Sequence, residues 1–334
     1  MPVASIIVPA FNAAQTLPET MASLLSQSFR DYEIIIVNDG SADDTLDVAN
    51  AFATDPRVRI VSQSNRGLAG ARNAGIAAAR GKYIGFCDAD DLWMPEKLAT
   101  HVRHLERSPD VGLSYSGSEL IDTRSRPAGV SQKPKLKGVS MAHVLLRNPV
   151  GNGSAAVVRR EALEDIAWRP GFEKTHDWVF DETFRQSEDI ECWMRMMLTT
   201  DWQFEGVPGL LTRYRIAPGG LSAATGRQLA SWERMIARLR PRNPAFFARY
   251  ENAARAYQFR YLARRAVSSF DGDTAWDMAL QSWNCSRHPL VHEPAKTLTT
   301  LGAAVILRLA GRKPVACVAK FLAERARTGE RTLQ

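Results

Sequence analysis

The stretch Gly81–Asp91, GKYIGFCDADD, decides how this chain folds. Its first half, Tyr83–Cys87, is a short apolar run of the kind that forms a strand buried on both faces. Its second half, Asp88-Ala89-Asp90-Asp91, sets two carboxylates one residue apart at the strand's carboxyl end, so both point into one crevice. Acidic oxygens there suit a hard divalent cation, which in turn suits a diphosphate. The alternative is local: Asp90 or Asp91 caps the helix that follows, as acidic residues often do.

Working outward, similar runs recur at Ser5–Pro9, Glu33–Val37, Val58–Val61 and Val111–Tyr115, and helical patterns lie between them at 16–28, 43–53, 69–79 and 95–107. Ser41 with Asp44 three residues on reads as a capping box for the second helix. Strand–helix alternation at this spacing predicts an α/β fold with a Rossmann-like, mostly parallel sheet, covered on both faces. In such sheets ligands bind beyond the carboxyl ends of the strands. Four strand ends deliver polar groups to that rim: Pro9-Ala10-Phe11-Asn12, Asn38-Asp39-Gly40-Ser41, Asn65-Arg66-Gly67 and the aspartates after Cys87, with Ala71-Arg72-Asn73 in the helix beyond. Taken alone, an Asp before a Gly is also ordinary turn chemistry.

Residues 121–155 are Pro/Gly/Ser/Lys-rich and read as loop, with Lys133, Lys135 and Lys137. A strand at Ser154–Val158, a helix from Arg159, a loop at 169–187, a helix from Glu188 to about Leu198 and a strand around Leu210–Arg215 follow. Glu188-Asp189 admits two readings: an acidic pair that complements a helix dipole, or a carboxylate at a helix start serving as general base. Spacing does not choose between them. Beyond Ala223 the pattern is helical, with a stripe of Phe246, Tyr250, Ala254, Tyr257 and Tyr261 flanked by arginines, and a possible hairpin over 256–288 turning at Asp271-Gly272-Asp273.

The chain has 334 residues, 45% hydrophobic and 24% charged, with 22 Gly, 17 Pro and 4 Cys, which excludes collagen-like, disordered and disulfide-scaffold classes. The formal charge of +7 is an average. Residues 1–222 hold 24 basic and 28 acidic side chains, residues 223–334 hold 19 and 8, so an acidic body precedes a basic tail. The expected division is a catalytic domain over 1–222 and a basic helical region over 223–334. Cys87, Cys192, Cys285 and Cys317 show neither disulfide nor zinc spacing, as expected of reduced thiols in a cytoplasmic protein. The N-terminus reads directly as a strand, without a secretory signal. The uncharged run Thr297–Leu307 has 11 residues, short of the ~20 a spanning helix needs.

Together SIIVPAFNA (5–13), VNDGSADDT (37–45), NRGLAGARNAG (65–75), GKYIGFCDADD (81–91), SAAVVRREAL (154–163) and SEDIECWMR (187–195) resemble the inverting family 2 glycosyltransferases of the GT-A fold. The likeness covers roughly residues 3–222 and looks closest to bacterial enzymes that build exopolysaccharide repeat units on a lipid carrier. It implies that Pro9 and Phe11 border the nucleotide, Asp39 bonds the base (usually uracil), and Arg72 lies near the base or diphosphate. Asp88 would face the ribose or metal, Asp90 would bind Mg²⁺ or Mn²⁺, and Asp189 would deprotonate the acceptor hydroxyl. The donor would be a nucleotide-sugar, a UDP-sugar by the family's habit.

Two departures narrow the resemblance. Many members carry a His after a Tyr-Arg pair late in the domain, where Tyr214-Arg215-Ile216-Ala217-Pro218 offers Ala217. The Gln-x-x-Arg-Trp sequence and membrane spans of processive synthases do not occur, which favours transfer of a single sugar per encounter. A nucleotidyltransferase would need a Gly-rich phosphate loop that Val8–Asn12 lacks, and a non-catalytic scaffold predicts damaged acidic motifs, whereas Asp39, Asp88, Asp90 and Asp189 are all present. The basic tail suits an anionic membrane surface, so the expected location is peripheral at the inner face of the cell membrane. The alternative is a solvated extension packed on the catalytic domain. No nucleic-acid-binding signature accompanies the charge.

Overall fold

The computed structural model describes residues 1–216 and 225–314. The chain divides into two compact units, residues 1–141 with 148–216, and residues 142–147 with those after 216. The boundary expected near 223 lies outside the described residues.

Four strands open the first unit: β1 (Ala4–Ala10), β2 (Tyr32–Asp39), β3 (Val58–Gln63) and β4 (Tyr83–Phe86). They pair in parallel in the order β3-β2-β1-β4. Helices α1 (Leu17–Leu25), α2 (Thr45–Phe52) and α3 (Gly67–Ala78) supply the crossovers. The apolar runs are strands because both faces are covered: every residue of β1, β2 and β4 is buried. Gly75 lets α3 lie close on β1, since a Cβ there would collide with the Ile7 side chain. Strand order reverses between β1 and β4, and such a switch point opens a crevice beyond the strand ends. The polar rim read from the sequence is therefore one edge of one sheet.

The chain continues through β5 (Leu92–Trp93), α4 (Lys97–Arg107), β6 (Val111–Ile121), β7 (Pro127–Gln132), α5 (Met141–Arg147), β8 (Ala156–Arg159), α6 (Arg160–Glu164), α7 (Glu188–Thr199) and β9 (Gln203–Arg215). Strand β8 is antiparallel to both β4 and β6, and β9 runs parallel to β6. Six of the nine strands (β1 to β4, β6 and β9) thus share one direction, a mostly parallel sheet with an inserted antiparallel strand.

Several local expectations change. Strand β6 runs well past Tyr115 through Ser116 and Ser118, because these buried hydroxyls find partners. Ser114 bonds His101 and His104, and Ser118 accepts from Asn152. An apolar-run criterion stops where serines begin, whereas satisfied hydroxyls can be buried. The segment read as loop at 121–155 contains β7, a largely exposed strand, and α5, whose residues 142–147 belong to the second unit. The capping box does not form: Asp44 precedes α2 without a side-chain cap bond, and Ser41 Oγ accepts the N–H of Asn12 instead.

In the second unit α8 (Thr225–Leu239), α9 (Pro244–Ser268), α10 (Gly272–Cys285), α11 (His288–His292) and α12 (Pro294–Ala310) follow one another. Asn243 and Asp271 accept N–H bonds from Phe246 and Thr274 at the starts of α9 and α10. The expected hairpin is α9–α10, begun earlier than read. The expected stripe on α9 is only partly its packed face. Ala254 and Tyr257 are buried, but Phe247, Phe259, Leu262 and Ala266 are buried too, while Phe246, Tyr250 and Tyr261 are half-buried. A helix covered on more than one side shows no single apolar stripe. Several basic side chains here form ion pairs: Arg255 with Glu233 and Glu251, Arg240 with Glu251, and Arg147, Arg260 and Lys296 with Glu293. Cys87, Cys192 and Cys285 are unpaired thiols; Cys317 lies outside the described residues. Among the described residues no helix is long and apolar enough to cross a membrane.

Candidate active site

The aspartates after β4 separate into different roles. Asp91 is fully buried, and its carboxylate accepts the backbone N–H of Arg215 (2.8 Å) and the hydroxyl of Ser154 (2.5 Å). Burial, then the charges of Asp90 and Asp88, pushes its pKa well up. Asp88 is half-exposed, with its N–H donated to Ser154 Oγ (2.9 Å) and Oδ1 accepting Nη2 of Arg72 (2.9 Å). The Asp90 carboxylate has no hydrogen-bond partner among the described residues. Burial and the neighbouring Asp88 raise its pKa to about 6. Neither Asp90 nor Asp91 caps α4, because β5 intervenes and Glu96 is the residue at the helix start.

An unpartnered carboxylate beside a second one leaves an excess of negative potential that a divalent cation would offset, and two acidic oxygen donors fit Mg²⁺ or Mn²⁺. Asp90 and Asp88 are the residues able to hold such an ion. Glu173, His176 and Glu182 also bring ligand-type atoms within 4.8 Å of one another. Their carboxylates, however, already bind the Arg66 guanidinium, Thr175, Trp178 and Asn73. That cluster ties loop 169–187 to α3.

At the ends of β1 and β2 lie the residues expected near a nucleotide. Pro9 is buried in β1 opposite Val37, whereas Phe11 just beyond the strand is 51% exposed, a free aromatic face on the rim. Asp39 is 2% exposed. Its Oδ1 accepts from Gln63 Nε2 (2.7 Å) and the Arg66 N–H (2.8 Å), and its Oδ2 from the Gly67 N–H (2.8 Å). The carboxylate fixes the turn into α3, and one acceptor position of about four remains open. The β1 loop is clipped to the β2 loop: Asn12 Oδ1 accepts the Ala42 N–H, and Thr45 Oγ1 accepts the Ala13 N–H.

Helix α7 begins after Ser187, whose φ of 60° is left-handed and uncommon for a non-glycine. That turn presents Glu188 and Asp189 in the first helical turn. Glu188 is buried and accepts Nη1 of Arg72 at 2.6 Å. Asp189 is half-buried and accepts only the N–H of Ile190 (2.8 Å) among the described residues. Burial, then Glu188, pushes its pKa to about 7, with Arg72 opposing. The two members of the pair differ: Glu188 forms an ion pair with Arg72, whereas the Asp189 carboxylate has no ion-pair partner among the described residues. Edge-to-face contacts from Phe86 to Phe180 (5.3 Å) and from Phe180 to Trp193 (5.7 Å) hold α7 against β4.

Arg72, expected near the base or diphosphate, is 1% exposed, and both terminal nitrogens bind carboxylates. The sequence gives no functional sign of Ser154 or Arg215, while Glu188 and Asn73 stand in its candidate segments Glu188-Asp189 and Ala71-Arg72-Asn73 without a separate role. Arg215 Nε donates to the Asp90 carbonyl (2.7 Å), and Asn73 bonds the backbone of Val179 and Phe180. The motif DADD marks the strand end but gives no sign of which distant elements will clasp it. Ala217 lies outside the described residues.

The mostly parallel sheet with acidic residues beyond β4 at its switch point fits the GT-A fold that the resemblance implies. The solved structures agree in fold. The chain resembles S. aureus TarS residues 1–349 in complex with UDP-GlcNAc (TM-score 0.55, 16% identity, 98% of this chain and 88% of that one). It also resembles the mannosyltransferase PcManGT of Pyrobaculum calidifontis in complex with GDP-Man and Mn²⁺ (TM-score 0.57, 20% identity, 92% and 87%). Residues 5–167 match the model of Glycosyl transferase family 2.

Among curated relatives, an uncharacterised glycosyltransferase of Nostoc sp., alr2836, is 36% identical over 172 residues, covering 48% of this chain and 52% of its own length. The chain therefore spans about half the length of that relative. WfaP of Escherichia coli, a UDP-Glc:alpha-D-GlcNAc-diphosphoundecaprenol beta-1,3-glucosyltransferase, is 39% identical over 116 residues, covering 35% of this chain and 46% of its own.

Proposed function

We propose that the chain transfers a single sugar, with inversion, from a UDP-sugar to a hydroxyl of a saccharide or lipid-linked saccharide. The observation that carries this reading is the pair of carboxylates without ion-pair partners, Asp90 and Asp189, held on one rim by elements that converge on Arg72. Phe11 offers the base a face, with Asp39 and Pro9 shaping the pocket behind it. Asp189 takes the proton of the acceptor hydroxyl; the oxygen bonds to the anomeric carbon as the bond to the diphosphate oxygen breaks on the opposite side. An α-linked donor would then yield a β-linked product. A bound Mg²⁺ or Mn²⁺, held by Asp90 with Asp88, would stabilise the departing diphosphate. The named substrates of WfaP and the nucleotide-sugars in TarS and PcManGT support a nucleotide-sugar donor and a diphosphate-lipid-linked acceptor in cell-surface glycan synthesis. The direct test is release of nucleotide from UDP-glucose, UDP-GlcNAc and GDP-mannose with Mn²⁺ and saccharide acceptors; none turned over would sink the reading.

The raised pKa of Asp189 sets the pH dependence. Its base form predominates only above about 7, so initial rates at saturating donor should fall as pH drops through that value and level off above it. A rate that is flat from pH 5.5 to 8.5 contradicts the assignment.

The second unit supports attachment at the inner face of the cell membrane. Residues 225–314 carry 15 basic and 6 acidic side chains. On α12, Leu298 (57% exposed), Ile306 (46%) and Leu309 (81%) share a face turned away from the buried Ala304 and Leu307. Apolar side chains flanked by Lys296, Arg308 and Arg312 suit an anionic headgroup layer. Replacing all three apolar residues with Gln in the full chain should cut co-sedimentation with phosphatidylglycerol vesicles several-fold; unchanged sedimentation rules this face out.

A further inference from the structure

We infer that Arg72 is a positioning residue that locks the metal-side aspartates and the base-bearing helix into one geometry, and is not a ligand of the nucleotide; the inference rests on the function proposed above. Arg72 stands in the middle of α3, and its guanidinium is the meeting point of three elements distant in sequence. Nη1 reaches Glu188 Oε1 (2.6 Å), one residue before Asp189 on α7, and Nη2 reaches Asp88 Oδ1 (2.9 Å), two residues before Asp90 after β4. Its central carbon lies 5.4 Å from the Phe180 ring and 6.0 Å from the Phe86 ring, which pack edge to face. The backbone of Gly153 closes in beside it, where a Cβ would collide with Nη2. Two rings, two carboxylates and bare backbone therefore surround the group. A phosphate that took the place of either carboxylate would leave that charge uncompensated.

The chemistry requires arginine. A planar fork can bond two carboxylates on different elements at once, with fixed angles between them. A lysine ammonium in the same place is a single point, satisfies one acid well, and loosens the other. Burial acts against the charged guanidinium, but Asp88, Glu188 and Asp189 outweigh it and raise its pKa, so the cation persists across the working range. Removing it would leave three neighbouring carboxylates to repel one another, and the backbone segments carrying Asp90 and Asp189 would part. Misplacement by about 1 Å at reacting groups can cost on the order of 100-fold in rate.

The test separates turnover from nucleotide binding in the full chain. For Arg72→Gln, kcat with UDP-glucose or UDP-GlcNAc and Mn²⁺ should fall on the order of 100-fold, while the calorimetric Kd for UDP in EDTA, to which the metal-side aspartates do not contribute, changes by less than about threefold. Arg72→Lys should recover part of the lost kcat, and Gly153→Ala, which crowds Nη2 without removing it, should lower kcat about tenfold with UDP affinity kept. If UDP affinity falls in step with kcat, Arg72 contacts the nucleotide and the inference is overturned; an unchanged kcat in Arg72→Gln overturns it equally. Should Arg72→Gln fail to fold by near-UV circular dichroism, Gly153→Ala and Glu188→Gln decide the matter by the same kcat and Kd readings. A parent chain that turns over neither donor sinks the proposed function instead, and the UDP titration of Arg72→Gln still judges this residue.

Discussion

Asp189→Asn is expected to lower sugar transfer by about 10²–10⁴-fold, the range general-base groups contribute, while UDP binds as it does to the parent. Asparagine matches the shape of aspartate but cannot take a proton at neutral pH. The replaced carboxylate has no salt bridge to lose; among the described residues it accepts only the Ile190 N–H, which an amide oxygen accepts as well. Glu188 and Asp88 remain to neutralise Arg72, so the frame of the site persists. Loss of a negative charge from a crowded acidic cluster should leave the fold equally stable or slightly more so. Initial-rate assays paired with UDP calorimetry measure both halves. Transfer at the parent rate excludes Asp189 as the base, and a parallel loss of UDP affinity makes it a binding residue.

Asp90→Ala is expected to abolish metal-dependent nucleotide affinity, with undiminished UDP binding in Mn²⁺ the outcome that removes Asp90 from the metal. The same substitution has an opposite effect on the metal-free protein, and the sign follows from the pKa. Folding raises the Asp90 pKa from 3.8 to about 6, so the ionised form is the one the fold disfavours. That destabilisation is absent below the unfolded pKa and fully present above about 6. In EDTA at pH 7.5 Asp90→Ala should therefore melt higher than the parent, and in Mn²⁺ with UDP the order should reverse, because ligand binding stabilises only the competent protein. Arg215 keeps its bond to the carbonyl of residue 90 in the variant, so the strand end stays anchored. Strain of this kind, retained where a ligand is to bind, is a common trade of stability for function.

Much of the fold was legible because its core strands are buried on both faces. Ser5–Pro9, Glu33–Val37 and Tyr83–Cys87 stand out as unbroken apolar runs, and each lies within or at the end of its strand. The same criterion shortened β6, where Ser116 and Ser118 are buried but hydrogen-bonded to side chains from other elements, and missed the first half of β9, where Gln203, Glu205, Gly206, Pro208 and Gly209 break the apolar run. It likewise passed over β7, whose exposed PAGVSQ carries little apolar signal. On α9 the pattern failed for the reverse reason: packing on several sides removes the periodicity that marks a one-sided helix.

What the sequence by itself determined is the rim. Parallel strands end on a common edge, so Phe11, Asp39 and Asp88–Asp91 were bound to gather there once the alternation of strand and helix was read. Tertiary structure alone decided how the acids divide their labour. Asp91 is spent on Ser154 and Arg215, Asp39 on the turn into α3, and Glu188 and Asp88 on Arg72, while Asp90 and Asp189 have no side-chain partner among the described residues. The physical reason is distance along the chain. A carboxylate's reactivity depends on burial and on the groups within a few ångströms; beside the neighbouring acids, the partners that fix this site, Arg72 for Glu188 and the Arg215 N–H for Asp91, come from more than a hundred positions away, which no local pattern encodes.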